Sequence, residues 1–508
     1  MTTKTQARSK VAERGMLGAL VLMATAATAL MGQAAPVQLT LEEAITLAKA
    51  NNPTFLSTAN DQSAANWQER EAFGVFLPSV SASGSLGYQE AGVQRIGTLV
   101  FDDQITDWAF SNYNLSLNWT LSGREIFGVS NARANKKATS ARIDAAEFNL
   151  ESTVAFQYMA ALRALDQVDV AQRQLDRARQ NLQIVTTRVE TGAAAGTDGR
   201  QAEVDLGRAN VGLIQAQRDL RQMKLLLAEQ LGVALDDGVT LASEFDVFEP
   251  EFDADELMQY ALNSHPSLNS FRAQESASRA AARQTATSQY LPTINVSTGL
   301  RGNTLEALND EFVVNQASDQ MAARQSNCEF NNALNARLSS PLPGFEAQNC
   351  SQFALSDEAR AQVLDGNRVF PFNFTKLPVS LNLNVSVPIF TGFSRQRQVS
   401  QANNAAEDAE HARRAEELRL RTSVTNMYDN LVSAYQVVEA EARNRALSEE
   451  QLQLQQRRYA LGATGLLELM DAQTTLSTAD QAYLNSVYDF HYSLIALEAS
   501  VGRTLRSR

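Results

Sequence analysis

The sequence predicts a mostly α-helical protein with a membrane β-barrel that is completed by strands from several chains. Three observations lead to this fold class. The 508-residue chain is internally duplicated, it contains two long blocks without proline, and each copy has two segments in which apolar and polar residues alternate. The duplication indicates two equivalent halves, the proline-free blocks indicate long helices, and the alternation indicates strands with one apolar face.

Glycines and a seven-residue apolar spacing mark the duplication. Gly192 precedes Gly232 by 40 residues, and Gly462 precedes Gly502 by the same distance. Between each pair, apolar residues recur every seven positions, which is the stripe of a helix packed lengthwise on another: Leu206, Leu213, Leu220 and Leu227, then Leu476, Tyr483, Phe490 and Leu497. We assign the first repeat to residues 35–250 and the second to 251–508. Each contains a helix, two strands, a long helix and a helix, and the second has an insertion at about 301–377.

Residues 1–34 are predicted to be a signal peptide. Basic residues precede an apolar run at 16–31, and the run ends in Gly32-Gln33-Ala34, with small residues where a signal peptidase cleaves. An uncleaved anchor is the alternative, but the run is shorter than the roughly 20 apolar residues of a transmembrane helix. The chain is therefore expected to be exported.

The remaining composition gives no indication of an enzyme, a cofactor or a metal site. The chain has no phosphate-binding glycine loop and no nucleophile elbow, and its three histidines stand far apart. Its net charge of −13 argues against nucleic acid. The two cysteines, Cys328 and Cys350, both lie in the insertion. In an exported protein this pair favours a disulfide, and two free thiols remain the alternative.

Long helices are predicted at about 124–190 and 393–461. Proline is absent between Ser79 and Glu249 and again after Pro388, and proline in a helix interior costs about 3 kcal/mol. A helix of this length extends for about 100 Å. Shorter helices are predicted at 41–76, 199–232, 254–290 and 466–502, stacked end to end beside the long ones.

Four strands are predicted from alternation, at about 79–88, 112–121, 293–300 and 379–387. One face is apolar and the other carries Ser, Asn and Thr. Aromatic residues near the strand ends suggest an interfacial belt: Trp108, Phe110, Tyr113, Phe370, Phe372 and Phe374. A soluble antiparallel sheet also alternates, but export and strand length favour a membrane sheet.

Four strands are too few to close a barrel. In lipid every backbone donor and acceptor needs a partner within the protein, so the sheet has to close without edges. The smallest such barrels have about eight strands. The chain is therefore expected to share one barrel with other copies of itself. Three copies would supply twelve strands, a number that the residues alone do not fix.

The chain resembles the TolC family, the trimeric outer-membrane channel-tunnels of Gram-negative exporters. The resemblance covers essentially all of the chain after residue 34. It rests on the duplicated Asn52-Pro53 and His265-Pro266 pairs, the duplicated Leu77-Pro78 and Leu291-Pro292 pairs, and two further motifs. These are Pro388-Ile389-Phe390-Thr391-Gly392, and Tyr459-Ala460-Leu461-Gly462 followed by Leu469-Met470-Asp471-Ala472-Gln473.

The resemblance implies a barrel of twelve strands, four from each of three chains, that continues as an α-helical tunnel into the periplasm. It implies a passive exit duct for secreted proteins, as in type I secretion, or for small toxic molecules. The implied partners are a periplasmic adaptor, an inner-membrane ABC exporter or proton-driven pump, and outer-membrane lipid. The insertion would lie at the cell surface. A non-conducting periplasmic coiled coil or adhesin-like structural protein is the alternative.

The resemblance also implies a gate at the turns after the long helices. Glu468 and Asp471, three residues apart on one helix face, match an acidic ring at the pore, and two solvated acids are the alternative. Asp198 is the first-repeat counterpart of Glu468, and Tyr459 matches a tyrosine that bonds across to that acid when the tunnel is shut. Thr464 stands where an arginine would reinforce the link.

Four glycines mark turns in the predicted structure. Gly192 and Gly462 are predicted at the ends of the long helices, where a positive φ suits glycine, and only the resemblance makes them hinges. Gly123 and Gly392 mark the two points at which a strand gives way to a helix.

Overall fold

The computed structural model describes residues 38–506 except 93, 97–98, 102–105, 236–237, 243–244, 341–343 and 345–346. The predicted signal peptide lies outside the described residues. The described part of the chain contains ten α-helices: α1 Leu41–Asn51, α2 Pro53–Gly74, α3 Gly123–Glu190, α4 Gly196–Leu231, α5 Ala254–Ser264, α6 Pro266–Tyr290, α7 Asp310–Ala336, α8 Asp357–Asn367, α9 Ser394–Ala460 and α10 Leu466–Val501.

The strands of the described residues form three separate sheets. They are β1 Gln38–Leu39, β2 Ser79–Gln89, β3 Gln94–Ile96, β4 Leu99–Phe101, β5 Trp108–Leu121, β6 Thr240–Leu241, β7 Thr293–Ala307, β8 Thr375–Lys376 and β9 Ser380–Ser386. The residues group into two compact units. The helical unit comprises Met1–Gln62, Ala138–Ala273 and Glu410–Arg508, and the sheet unit comprises Ser63–Lys137 and Gln274–Ala409.

The mostly helical fold class and the two long helices are confirmed. Helix α3 has 68 residues and α9 has 67, and each lies within a block without proline. Within the described residues, no helix has both the length and the apolarity to cross a membrane.

The helices predicted at 41–76 and 254–290 are each two helices, which corrects the sequence analysis. The breaks fall at Asn52 and His265, and both residues precede a proline, which disfavours helical backbone in the residue before it. The Asn52 side chain donates to the carbonyl of Gln230 at 2.8 Å, and Nε2 of His265 lies 3.0 Å from the carbonyl of Ala499. The two breaks therefore tie the start of each repeat to the end of its last helix in the same way.

The main sheet has the four predicted strands in the antiparallel order β2-β5-β7-β9. The register aligns apolar residues in rows on one face and polar residues in rows on the other. One apolar row contains Ala82, Leu115 and Leu300, and one polar row contains Ser79, Asn118, Ser297 and Asn382. The alternation predicted from sequence is thus confirmed.

Both edges of this sheet lack a neighbouring long strand. Among the described residues, β2 pairs only with β5, and β9 pairs only with β7. The short β8 adds two residues beside the far end of β7. The outer edges of β2 and β9 therefore present unpaired backbone donors and acceptors.

The insertion at about 301–377 contains regular secondary structure. Strand β7 continues to Ala307, and the insertion then forms helices α7 and α8. Cys328 and Cys350 are joined by a disulfide within it. These helices were not predicted, because the first repeat has no equivalent segment for comparison.

Candidate functional site

The two turns that follow α3 and α9 have the same backbone structure. Gly192 has φ +72° and Gly462 has φ +76°, a conformation in which a Cβ atom is strained. The amide of Ala193 donates to the carbonyl of Arg188 at 2.7 Å, and the amide of Ala463 donates to the carbonyl of Arg458 at 2.8 Å. These are Schellman helix ends, so both glycines lie at the predicted turns.

The acids predicted for the gate lie at the start of the helices that follow these turns. Asp198 is in the first turn of α4 and Glu468 is in the first turn of α10, where the helix dipole favours a negative charge. Glu468 and Asp471 are exposed, and Asp198 is half-buried. A Cβ atom at Gly465 would lie 2.8 Å from a carboxylate oxygen of Glu468. The Glu468 carboxylate is therefore folded back over the start of its own helix.

The structure does not contain the predicted bond between the hydroxyl of Tyr459 and Asp198. Tyr459 is buried, and its hydroxyl has no hydrogen-bond partner among the described residues. Burial raises the pKa of Tyr459, and Asp198 contributes to the rise although Arg188 opposes it. The acid is thus near enough to act by its charge. Tyr459 belongs to a buried apolar cluster that includes Val185 and Leu469.

Arg188 makes the contact between the repeats that was expected of Asp198. It donates one hydrogen bond to the backbone carbonyl of Tyr459 and another, at 3.1 Å, to that of Ala193. Its guanidinium carbon lies 4.3 Å from the centre of the Tyr459 ring. Thr464, in the same region, is half-exposed. The sequence signal that was overlooked is the arginine four residues before the turn glycine.

Buried polar atoms without partners are concentrated beside this contact. Of the five such atoms in the described part of the chain, four belong to Asn181, Gln455, Tyr459 and Gln473. Asn181 donates to Gln473 at 3.2 Å, which leaves the other polar atom of each amide unsatisfied. Each unsatisfied group costs about 1–3 kcal/mol. In this part of the helical unit, more buried polar atoms therefore lack a hydrogen-bond partner than in the rest of the described residues.

A buried ion cluster joins three helices farther along α10. Asp480 accepts a hydrogen bond from Arg177 of α3 at 2.7 Å and one from Arg445 of α9 at 2.8 Å. Only 3% of its side chain is exposed. No sequence pattern predicts this cluster, because its members lie far apart in the chain.

The sheet provides a second candidate surface, the face that carries Ser and Asn side chains. The hydroxyls of Ser81 and Ser116 lie 2.7 Å apart on it, and Asn112 donates to Ser85 at 2.7 Å. Hydroxyl and amide groups of this kind suit a wet surface.

Two aromatic residues predicted for the interfacial belt lie on this polar face. Phe110 pairs with Gly87 in the register, on the same side as Ser85, and Trp108 shares that side. The ring of Trp108 contacts Phe312 of α7, with centroids 6.1 Å apart. Strand β5 begins at Trp108 rather than at about residue 112, so both residues lie within the strand and follow its alternation.

The strand-to-helix glycines differ in what they require. A Cβ atom at Gly123 would lie 2.4 Å from the carbonyl oxygen of Thr287, so the close approach of two backbones excludes a side chain. Gly392 has open space around it but φ +60°, followed by φ +63° at Phe393. Gly123 begins α3, and Gly392 lies in the turn before α9.

Comparison with known proteins agrees with this architecture. The sequence model of the family described as outer membrane efflux protein matches residues 44–233 and 355–503. No curated protein sequence matches the chain. Three solved structures illustrate the fold. A structure of CusC has a TM-score of 0.67 at 16% identity and covers 91% of this chain and 92% of that one.

The other two are outer-membrane channels. CmeC of Campylobacter jejuni has a TM-score of 0.67 at 14% identity, with 91% of this chain and 85% of that one covered. MtrE of Neisseria gonorrhoeae, in its open state, has a TM-score of 0.64 at 16% identity, with 92% and 89% covered. The chain therefore belongs to the outer membrane efflux protein family, whose members are outer-membrane channels that extend into the periplasm.

Proposed function

We propose that three copies of this chain form a passive exit duct through the outer membrane. The observation that carries the proposal is the four-stranded sheet with one apolar face, one polar face and two open edges. In lipid those edges need partners, and a second copy offers its own open edge. Three copies give twelve strands, with the apolar rows toward lipid and the Ser and Asn rows toward water.

The helical unit also has surfaces that a second copy would cover. Helix α4 exposes Val204, Val211 and Leu225, which follow a heptad spacing, and α9 exposes Leu447 and Leu454 at the same spacing. Exposed apolar stripes at heptad positions are typical of helices that pack against a partner helix. The proposed trimer joins the α4 stripe of one copy to the α9 stripe of the next.

Glu468 and Asp471 form the proposed acidic ring at the periplasmic entrance. Both side chains are exposed, and three copies would bring six carboxylates around one axis. A ring of carboxylates attracts cations and gives a pore cation selectivity. Their exposure supports this proposal, as does the lack of an ion pair at either acid within the described part of the chain.

The partners follow from the family. Its channels are trimeric and work with an adaptor and an inner-membrane pump. We propose the same for this chain, with a periplasmic adaptor and either an ABC exporter or a proton-driven pump. The cargo is secreted protein in the first case and small toxic molecules in the second. Loss of the gene should abolish secretion of a protein substrate or increase drug accumulation, which distinguishes the two.

Single-channel recording tests the duct directly. Purified outer-membrane trimers in planar bilayers should conduct with cation selectivity. Replacing Glu468 and Asp471 with Ala should weaken that selectivity and the block by multivalent cations. Replacing the exposed Glu449 and Glu450 of α9 with Ala is the matched control, because it removes the same charge elsewhere. Equal effects of the two double variants would contradict the acidic ring. An assembled trimer that never conducts would favour the alternative, a non-conducting structural protein.

A further inference from the structure

We infer that Arg188 is the positioning residue that holds the two helical turns together and so keeps the entrance of the duct closed. The inference rests on the proposed function and deepens it. It assigns to one arginine of the first repeat the role that the family resemblance gave to Tyr459, Asp198 and position 464.

The guanidinium of Arg188 contacts both turns at once. It donates to the Tyr459 carbonyl at the end of α9 and to the Ala193 carbonyl just after α3, at 3.1 Å in the second case. It also lies over the Tyr459 ring, 4.3 Å from the centroid. A planar guanidinium has a rigid fork of donors and a flat face that stacks on a ring, whereas an ammonium group is a compact point charge.

The charge of Arg188 has a second effect at this position. The carbonyl ends of helices carry a partial negative charge, and here the ends of α3 and α9 face one cation. Without that cation the two ends would repel each other weakly, and the Ala193 carbonyl would lose the donor that Arg188 supplies. Arg188 therefore converts an unfavourable approach of two helix ends into a favourable one.

The second repeat has the same arginine but does not use it in this way. Arg458 stands four residues before Gly462, as Arg188 stands four before Gly192. The carbonyls of both arginines accept the equivalent turn hydrogen bond. The Arg458 side chain, however, is exposed. The chain thus contains its own control residue, with the same type, the same local backbone and a different environment.

The neighbouring unsatisfied polar atoms are an independent observation in favour of this role. Asn181, Gln455, Gln473 and the Tyr459 hydroxyl each keep a buried polar atom without a partner. Any rearrangement that admits water gives those atoms partners. The packed conformation of the turns therefore needs a contact that opposes opening, and Arg188 is placed to supply it.

Four variants of the full-length trimer test the inference in planar bilayers. Arg188→Ala should raise the open probability about tenfold, the effect of losing one charge-assisted hydrogen bond. Arg188→Lys should give an intermediate open probability, because lysine keeps the positive charge but lacks the planar, forked donor geometry of the guanidinium. Arg458→Ala should stay within about twofold of the wild type. Tyr459→Phe should not raise the open probability, because the ring and carbonyl that Arg188 contacts remain and the hydroxyl that is lost has no partner in the packed turns.

The outcomes separate the inference from the proposed function. If the wild type conducts and Arg188→Ala matches Arg458→Ala, the inference is wrong. If Tyr459→Phe opens the channel as much as Arg188→Ala, the hydroxyl link to Asp198 holds the gate instead. If the wild-type trimer does not conduct, the duct itself is refuted. Should Arg188→Ala fail to assemble, Arg188→Lys and Tyr459→Phe decide the matter, with an intermediate value and no increase in open probability as the expected pair.

Discussion

Replacing Asp480 with Ala should destabilise the helical unit strongly. The carboxylate is almost fully buried and accepts hydrogen bonds from Arg177 and Arg445, which belong to two other helices. Removal leaves both guanidinium groups without their anion. The substitution therefore weakens the joint between α3, α9 and α10 rather than the fold of any one helix.

The size of the effect follows from exposure. Breaking a buried ion pair by removing one partner costs about 3–5 kcal/mol. The side chains of Arg177 and Arg445 remain 25% and 38% exposed, so water can stabilise both after the loss. We expect about 2–4 kcal/mol. For a large domain this corresponds to roughly 2 °C per kcal/mol, or a fall of about 5 °C in the midpoint.

The assay is thermal unfolding of helical circular dichroism at one fixed scan rate. Asp489→Ala is the matched control on the same helix. Asp489 forms an ion pair with Arg163, and the Asp489 side chain is 63% exposed. An exposed pair contributes about 0–1 kcal/mol, so its midpoint should move by less than about 2 °C. Equal shifts for the two variants would refute the argument from burial.

Two further predictions use the same assay. Burial lowers the pKa of His491 from 6.5 to about 4. As the pH falls, this imidazole therefore binds a proton in the unfolded chain before it does so in the folded chain. This contribution to stability is complete above about pH 6.5 and decreases by about 3 kcal/mol toward pH 4. His491→Asn should reduce that dependence and exposed His411→Asn should not, and identical profiles would contradict the assignment. Gly123→Ala should cost about 1–3 kcal/mol because of the backbone contact. Gly128→Ala, which meets only a flexible side-chain amide at 3.2 Å, should be neutral or slightly stabilising, and the same loss for both would contradict the close-approach argument.

The long helices and the strands were predictable because their signals are local and repeated. Alternation assigned the faces of β2, β5, β7 and β9, and the absence of proline assigned α3 and α9. The breaks at Asn52 and His265 were also readable, since both residues precede a proline. The helices of the insertion were not found, because they occur once and have no counterpart in the first repeat.

The candidate site was only partly predictable. The turns at Gly192 and Gly462 and the acids beside them follow from the repeat and from the family resemblance. The contact of Arg188 with Tyr459 joins residues 271 positions apart, and no periodicity encodes it. The hydroxyl of Tyr459 was assigned a partner by resemblance, whereas in the structure it is buried without one.

Native mass spectrometry of the protein released from lipid nanodiscs tests the central claim most directly. The claim is that a chain with four membrane strands and two open sheet edges has to share one pore with its copies. We expect a complex of three chains, and the same sample should conduct as a single channel per complex. A stable conducting monomer in lipid would contradict the account.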